Sequence, residues 1–191
     1  IMKIEKRWIV SFIIISLVAI TGLLWQHETA SGDVFNTEDS INFADVAWLL
    51  TASCLVLLMT PGLSFFYGGM VGKKNVISTM LKSFICLGVI SLLWVVVGFS
   101  LSFGDSIGIV IDGKTYGIIG NPLQFAFFDQ VETKPHQVLG SSIPFILYAL
   151  FQMKFAIITP AIITGALAER IRFISFLLFI CLFTLVIYTP L

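Results

Sequence analysis

Two aromatic side chains, Phe151 and Phe155, are the foremost candidates for chemistry in this sequence. Four residues apart, they share one face of a helix that carries them both. Aromatic faces attract a small cation, by about 2 kcal/mol or more once water is excluded. The same spacing also describes a packed pair inside a helix bundle, and spacing alone leaves both readings open. Lys154 falls between the two rings, near the middle of an apolar run. A lysine at the centre of a membrane span costs about 2.5 to 3.5 kcal/mol, so such residues face a cavity or a partner and seldom lipid. At about 100° per residue it lies about 60° around the helix from Phe151, close enough to border the same face. A fixed positive charge there would repel an incoming cation or mimic a bound one. The alternative is a lysine paired with a carboxylate of a neighbouring helix or subunit.

Other chemistries find little support. Cys54, Cys86 and Cys181 sit inside apolar runs without paired spacing. Such thiols pack as small hydrophobes, and no second Cys or His stands at ligand distance in sequence. The two histidines, His27 and His136, are isolated in polar connections. No catalytic set, metal site or cofactor site is expected, and an enzyme is the weaker class. Zero formal net charge removes the electrostatic case for nucleic acid.

The elements that must position these residues are membrane spans. Only 12% of the 191 residues are charged and 58% are hydrophobic, with a mean hydropathy of +1.01. Soluble domains carry about 25% charge, so most of this surface must face something apolar. A hydrocarbon core of about 30 Å requires about 20 apolar residues in helical form. Five stretches qualify: Trp8 to Trp25, Phe43 to Met70, Ile77 to Phe103, Ser141 to Leu167 and Phe173 to Pro190. The fold class is therefore an all-α membrane protein, a polytopic helical bundle surrounded by the lipid bilayer.

Charge in the connections orients the spans. Lys3, Lys6 and Arg7 precede the first, Lys73, Lys74 and Lys82 surround the turn after the second, and Arg170 and Arg172 follow the fourth. Residues 27–44 hold four acidic residues and no Lys or Arg, and residues 104–140 hold four against two lysines. Basic connections favour the cytoplasmic side, which puts the N-terminus inside at a cell (inner) membrane. Residues 1–26 read as an N-terminal transmembrane helix or a signal-like segment, with mediocre small-residue cleavage prospects after it. Residues 27–42 follow as an external linker. In the external loop 104–140, Asp112-Gly113 between apolar β-formers signals a hairpin, against the alternative of an irregular loop. Pro61 predicts a bend, and Gly68 and Gly69 permit close helix approach. Glu169 and Arg170 predict a short ion pair or a capping contact.

Specific motifs run in order through the spans. They are Asp45-Val46-Ala47-Trp48-Leu49-Leu50, Met59-Thr60-Pro61-Gly62, Phe65-Phe66-Tyr67-Gly68-Gly69 and Lys73-Lys74-Asn75-Val76. Leu93 to Gly104, Phe151-Gln152, Phe155 to Pro160 and Gly165 to Phe173 complete the series. From about Asp45 to Pro190 the chain resembles the ammonium transporter (Amt/Mep/Rh) family. Residues 43–191 would then be the first four core helices of such a domain.

The resemblance implies transport of ammonium or ammonia through an aromatic-gated pore in a homotrimer. By the family pattern Phe155 supplies half of the phenylalanine gate and Phe151 a wall of the outer recruitment site. Gln152, Tyr67 and Thr159 match polar signature positions and are weaker candidates. Lys154 departs from the pattern, since the family usually has an uncharged residue there, and it stands as a pathway modifier. Family members continue toward paired pore histidines and a second, inverted half, so these helices are expected to belong to a longer polypeptide. An ammonium sensor with impaired conduction and a fused signalling domain is the alternative, and an accessory fragment is the third reading. A cytoplasmic regulatory protein is a further partner that the resemblance allows.

Overall fold

The computed structural model describes residues 40–111 and 114–190. The first stretch read as a span, Trp8 to Trp25, and the linker up to residue 39 lie outside the described residues. Four helical elements follow. Helix α1 is Phe43–Met70, α2 is Val76–Phe103, α3 is Phe145–Ile163 and α4 is Phe173–Tyr188. The first three are long and apolar enough to cross a membrane. At 1.5 Å per residue, α1 is about 42 Å long, more than one perpendicular crossing of a core about 30 Å thick.

Asn42 starts α1 by accepting a hydrogen bond from the Ala44 N–H at 3.0 Å, and Asp45 adds a negative charge to the first turn. Pro61 lies inside this helix, which continues to Met70. Its buried residues are Ser53, Thr60, Ser64 and Gly68, while Trp48, Leu55, Leu58 and Phe65 face outward. A water-soluble helix has the reverse arrangement. Small residues on the inner face let α1 approach α2, where Ser64 Oγ donates to the Met80 carbonyl at 3.1 Å. Gly68 is part of that approach, because a Cβ there would meet the Met80 side chain. Among the described residues nothing stands within 4 Å of a Cβ placed on Gly69.

Helix α2 opens into a π turn at Trp94–Gly98, and α4 ends in another at Thr184–Tyr188. The wide turn seats Trp94 across the bundle, where its indole N–H donates to the Ala149 carbonyl of α3 at 3.2 Å. The core is built by α2, α3 and α4 around Ile90, Trp94, Phe99, Phe145, Ala149 and Ile157, all almost fully buried. Phe99 and Phe145 pack with ring centroids 5.5 Å apart.

The connection between α2 and α3 holds two small antiparallel pairs. Strand β1 is Ser106–Ile111 and β2 is Lys114–Gly120, paired antiparallel with Ile111 opposite Lys114. The hairpin reading of that sequence is the correct one. Strands β3 (Pro135–His136) and β4 (Gly140–Pro144) form the second pair. Ser141 to Pro144, read from hydropathy as the start of a span, are therefore strand, and Thr164 to Leu167 are turn. Pro144 stops the helix from starting earlier, since the residue before proline is pushed toward extended backbone.

Two further readings are corrected. Lys82 is not a charge of the turn but lies inside α2, 5% exposed, with Nζ 3.4 Å from the Ile171 carbonyl and 5.8 Å from the centroid of the Phe176 ring. Of the thiols, Cys86 is buried as expected, whereas Cys54 is exposed on α1.

Candidate functional site

Helix α3 carries most of the candidate residues. Its apolar sequence fits a buried helix, and its first two N–H groups are held by the preceding connection. Phe145 N–H donates to the Lys134 carbonyl at 3.3 Å and Ile146 N–H to the Glu132 carbonyl at 3.0 Å. Two turns further, Phe151 and Phe155 sit with ring centroids 5.0 Å apart and planes inclined at 79°. The pair is edge-to-face rather than stacked, the arrangement that ring quadrupoles favour. Phe151 is half-buried and Phe155 is 38% exposed.

Lys154 is half-buried on the same stretch of α3. Cys54 of α1 lies within electrostatic range of its ammonium. Among the described residues no carboxylate forms an ion pair with it. The charge is thus neither buried in a pair nor fully in water.

The three polar signature residues do not converge on the rings. Gln152 hydrogen-bonds with Tyr148 and lines a cavity of about 400 Å³ with Trp94, Ser102, Phe103, Tyr188 and Thr189. Thr159 Oγ1 donates back to the Phe155 carbonyl at 2.9 Å, one turn away. Tyr67 stands at the other end of the bundle, where its hydroxyl donates to the Ile162 carbonyl at 2.7 Å. That carbonyl has lost its helical partner because α3 ends at Ile163. Gly165 makes room for the ring, since a Cβ there would collide with it.

Glu169 has a role that its neighbours in sequence do not reveal. Of the two readings, ion pair or cap, the second is realised. Its Oε1 accepts from Asn75 Nδ2 at 2.9 Å and from the Gly72 N–H at 3.0 Å, joining the α1–α2 turn to the α3–α4 turn. Those bonds, Asn75's first, hold its carboxyl below the ordinary range. The residue adopts φ 62°, a left-handed conformation. His136, read as an isolated polar residue, is buried beside Phe145. Neither contact has a signal in local sequence, because both partners lie across a turn or a strand pair.

Helices that leave many large apolar side chains exposed, three of them long and apolar enough to cross a bilayer, define an integral membrane protein. Residues 47–191 match the family model described as Ammonium Transporter Family. The chain is 40% identical over 159 residues to the ammonium transporter of Mycobacterium bovis, covering 76% of this chain and 32% of that protein. With the ammonium transporter of Bacillus subtilis the identity is 41% over 150 residues, covering 78% and 34%. Among solved structures, Saccharomyces cerevisiae Mep2 superposes with a TM-score of 0.67 at 32% identity, covering 79% of this chain and 32% of that one. A structure titled Sensor Amt Protein matches with a TM-score of 0.63 at 28% identity, covering 75% and 32%. This chain belongs to the ammonium transporter family. It spans about a third of the length of the curated relatives it matches, which are named as transporters rather than enzymes.

Proposed function

We propose that the chain contributes the gate-bearing helices of a transporter for ammonium or ammonia, acting within a longer polypeptide that assembles as a homotrimer. The observation that carries this reading is the Phe151–Phe155 pair, edge-to-face at 5.0 Å with Phe155 still 38% exposed. An ammonium ion entering beside these rings loses water and gains the negative faces of the π-systems. Phe155 is the gate half and Phe151 the wall of the recruitment site. Gln152 lines a side cavity on the helix that carries the gate, Thr159 bonds back one turn to the Phe155 carbonyl, and Tyr67 closes the far end of that helix. Basic residues Lys73, Lys74, Arg170 and Arg172 mark the cytoplasmic end, where a regulatory protein would dock, and the end holding Asp45, Asp105 and Glu132 is external. Residues 1–26 precede the core as a further helix or signal-like segment, with 27–42 as linker.

The test is ammonium uptake by the full-length protein in proteoliposomes. Phe155→Ala is expected to alter flux at least tenfold while the protein still folds. Unchanged uptake would remove the gate assignment.

A second reading, an ammonium sensor with weak conduction and a fused signalling domain, is favoured by one feature. Lys154 brings a positive charge without a carboxylate partner among the described residues to the stretch of α3 that holds the rings. Likeness to a structure titled as a sensor agrees with it.

A further inference from the structure

The connection before α3 contains a buried ionisable ring that the proposed pathway does not use. His136 is 8% exposed, and its ring centroid lies 4.8 Å from that of Phe145 with the planes inclined at 33°. Its Nδ1 accepts from the backbone N–H groups of Val138 at 3.3 Å and Leu139 at 3.2 Å. Those bonds require a lone pair on Nδ1, so the ring is neutral and carries its proton on Nε2. The residue also ends β3, whose approach supplies the carbonyls of Glu132 and Lys134 that cap the first N–H groups of α3. Pro144, the N-cap residue, offers no side-chain cap of its own. The connection is therefore the cap of α3, and His136 pins it in place.

We propose that His136 is a proton-sensitive latch, which holds the connection on the N-terminus of α3 when neutral and releases it when the surrounding solution is acidified. The side on which it senses protons, the external one, rests on the orientation given under the proposed function. Protonation would set an N–H at Nδ1 against two N–H donors and place a charge in a buried aromatic site, and both effects oppose the latched form. Burial pushes the imidazole below its ordinary value, and the Asp105 carboxylate ahead of β1 acts in the opposite sense. Glu132 and Lys134 face each other at 3.9 Å. Asp45 of α1 is held by Ser142 Oγ of β4 at 2.7 Å. Helix α3 presents Tyr148, stacked beyond Phe145 with centroids 6.4 Å apart.

The sign follows from the lowered value. The latch contributes its full stability above the ordinary histidine value of about 6.5 and loses it as pH falls toward the ring's own, lower value. Between those two values the open form binds one more proton, so latch stability falls by up to about tenfold per pH unit. Phe151, Lys154 and Phe155 ride on the helix whose cap is released.

Hydrogen–deuterium exchange of the full-length protein in lipid nanodiscs tests the latch, read on peptides covering residues 132–146 between pH 7.5 and 5. After correction for intrinsic exchange, wild-type protection is expected to fall by up to about tenfold per pH unit below pH 6.5. His136→Asn, whose Oδ1 can accept the same bonds without titrating, is expected to show flat protection. Asp105→Asn, which removes the charge that stabilises the protonated ring in the latched form, is expected to extend the fall in protection to lower pH and make its total larger than in wild type. A flat wild-type profile, an equal fall in His136→Asn, or a total fall in Asp105→Asn no larger than in wild type overturns the proposal. Because exchange does not depend on ammonium movement, its outcome is independent of the transport reading.

Discussion

Gly165 and Tyr67 show how one small residue determines where a large one can act. The Tyr67 ring occupies the space that a Cβ on residue 165 would need, and its hydroxyl closes the end of α3 on the Ile162 carbonyl. Gly165→Ala is expected to cost about 1 to 3 kcal/mol through overpacking, read as a lower melting temperature of the purified full-length protein. Tyr67→Phe keeps the ring and removes one hydrogen bond, so a smaller loss of about 0.5 to 1.5 kcal/mol is expected in the same assay. Phe151 and Phe155 were visible as a pair from their spacing, because a helix forces residues four apart onto one face. Their edge-to-face inclination was not, since it depends on rotamers chosen by neighbouring helices.

At the level of elements, the two turns at the basic end act as one unit through Glu169. Removing its carboxylate frees the Gly72 N–H and Asn75 together. Glu169→Ala is expected to speed tryptic cleavage at Lys73 and Lys74 in membranes that expose that end. Cleavage no faster than wild type would show that the turns hold without it. The lowered carboxyl also predicts a pH dependence. Its contribution is present above the ordinary glutamate value of about 4.3 and is lost as pH falls through its own lower value. At the opposite end, a Cβ on Gly120 would strike the backbone carbonyls of Ser100 and Leu101, which cannot move as a side chain can. Gly120→Ala is therefore expected to lift the hairpin from the end of α2, measurable as faster hydrogen exchange across residues 100–121. Helix lengths follow from hydropathy except at α3, which Pro144 starts late and which gives way to turn after Ile163. Strand β4, Gly140-Ser141-Ser142-Ile143-Pro144, runs straight into the apolar helix, and its strand character comes from pairing with β3, which local sequence does not show.

For the whole molecule, the question is what the Lys154 charge, which has no carboxylate partner among the described residues, does to a cation pathway. Lys154→Met restores the neutral character usual for the family, and ammonium uptake by the full-length protein is expected to rise about tenfold or more. No gain in flux would remove the blocking role and leave Lys154 as a lysine whose partner lies elsewhere in the assembly. The amino-acid sequence by itself determined that this is a helical membrane protein and which family it belongs to, and it located the helices among the described residues apart from the ends of α3. Those properties rest on hydropathy, charge and ordered motifs, all of which are local. Only the tertiary structure decided which polar residues reach the rings and which serve as caps. It sent Gln152 into a side cavity, Thr159 back onto its own helix and Tyr67 to the far end of the bundle. It also buried Lys82 and His136, which look solvent-facing in the chain. The reason is physical: a polar atom in a low-dielectric interior must find whichever partner is nearest in space. Sequence distance carries no record of that choice.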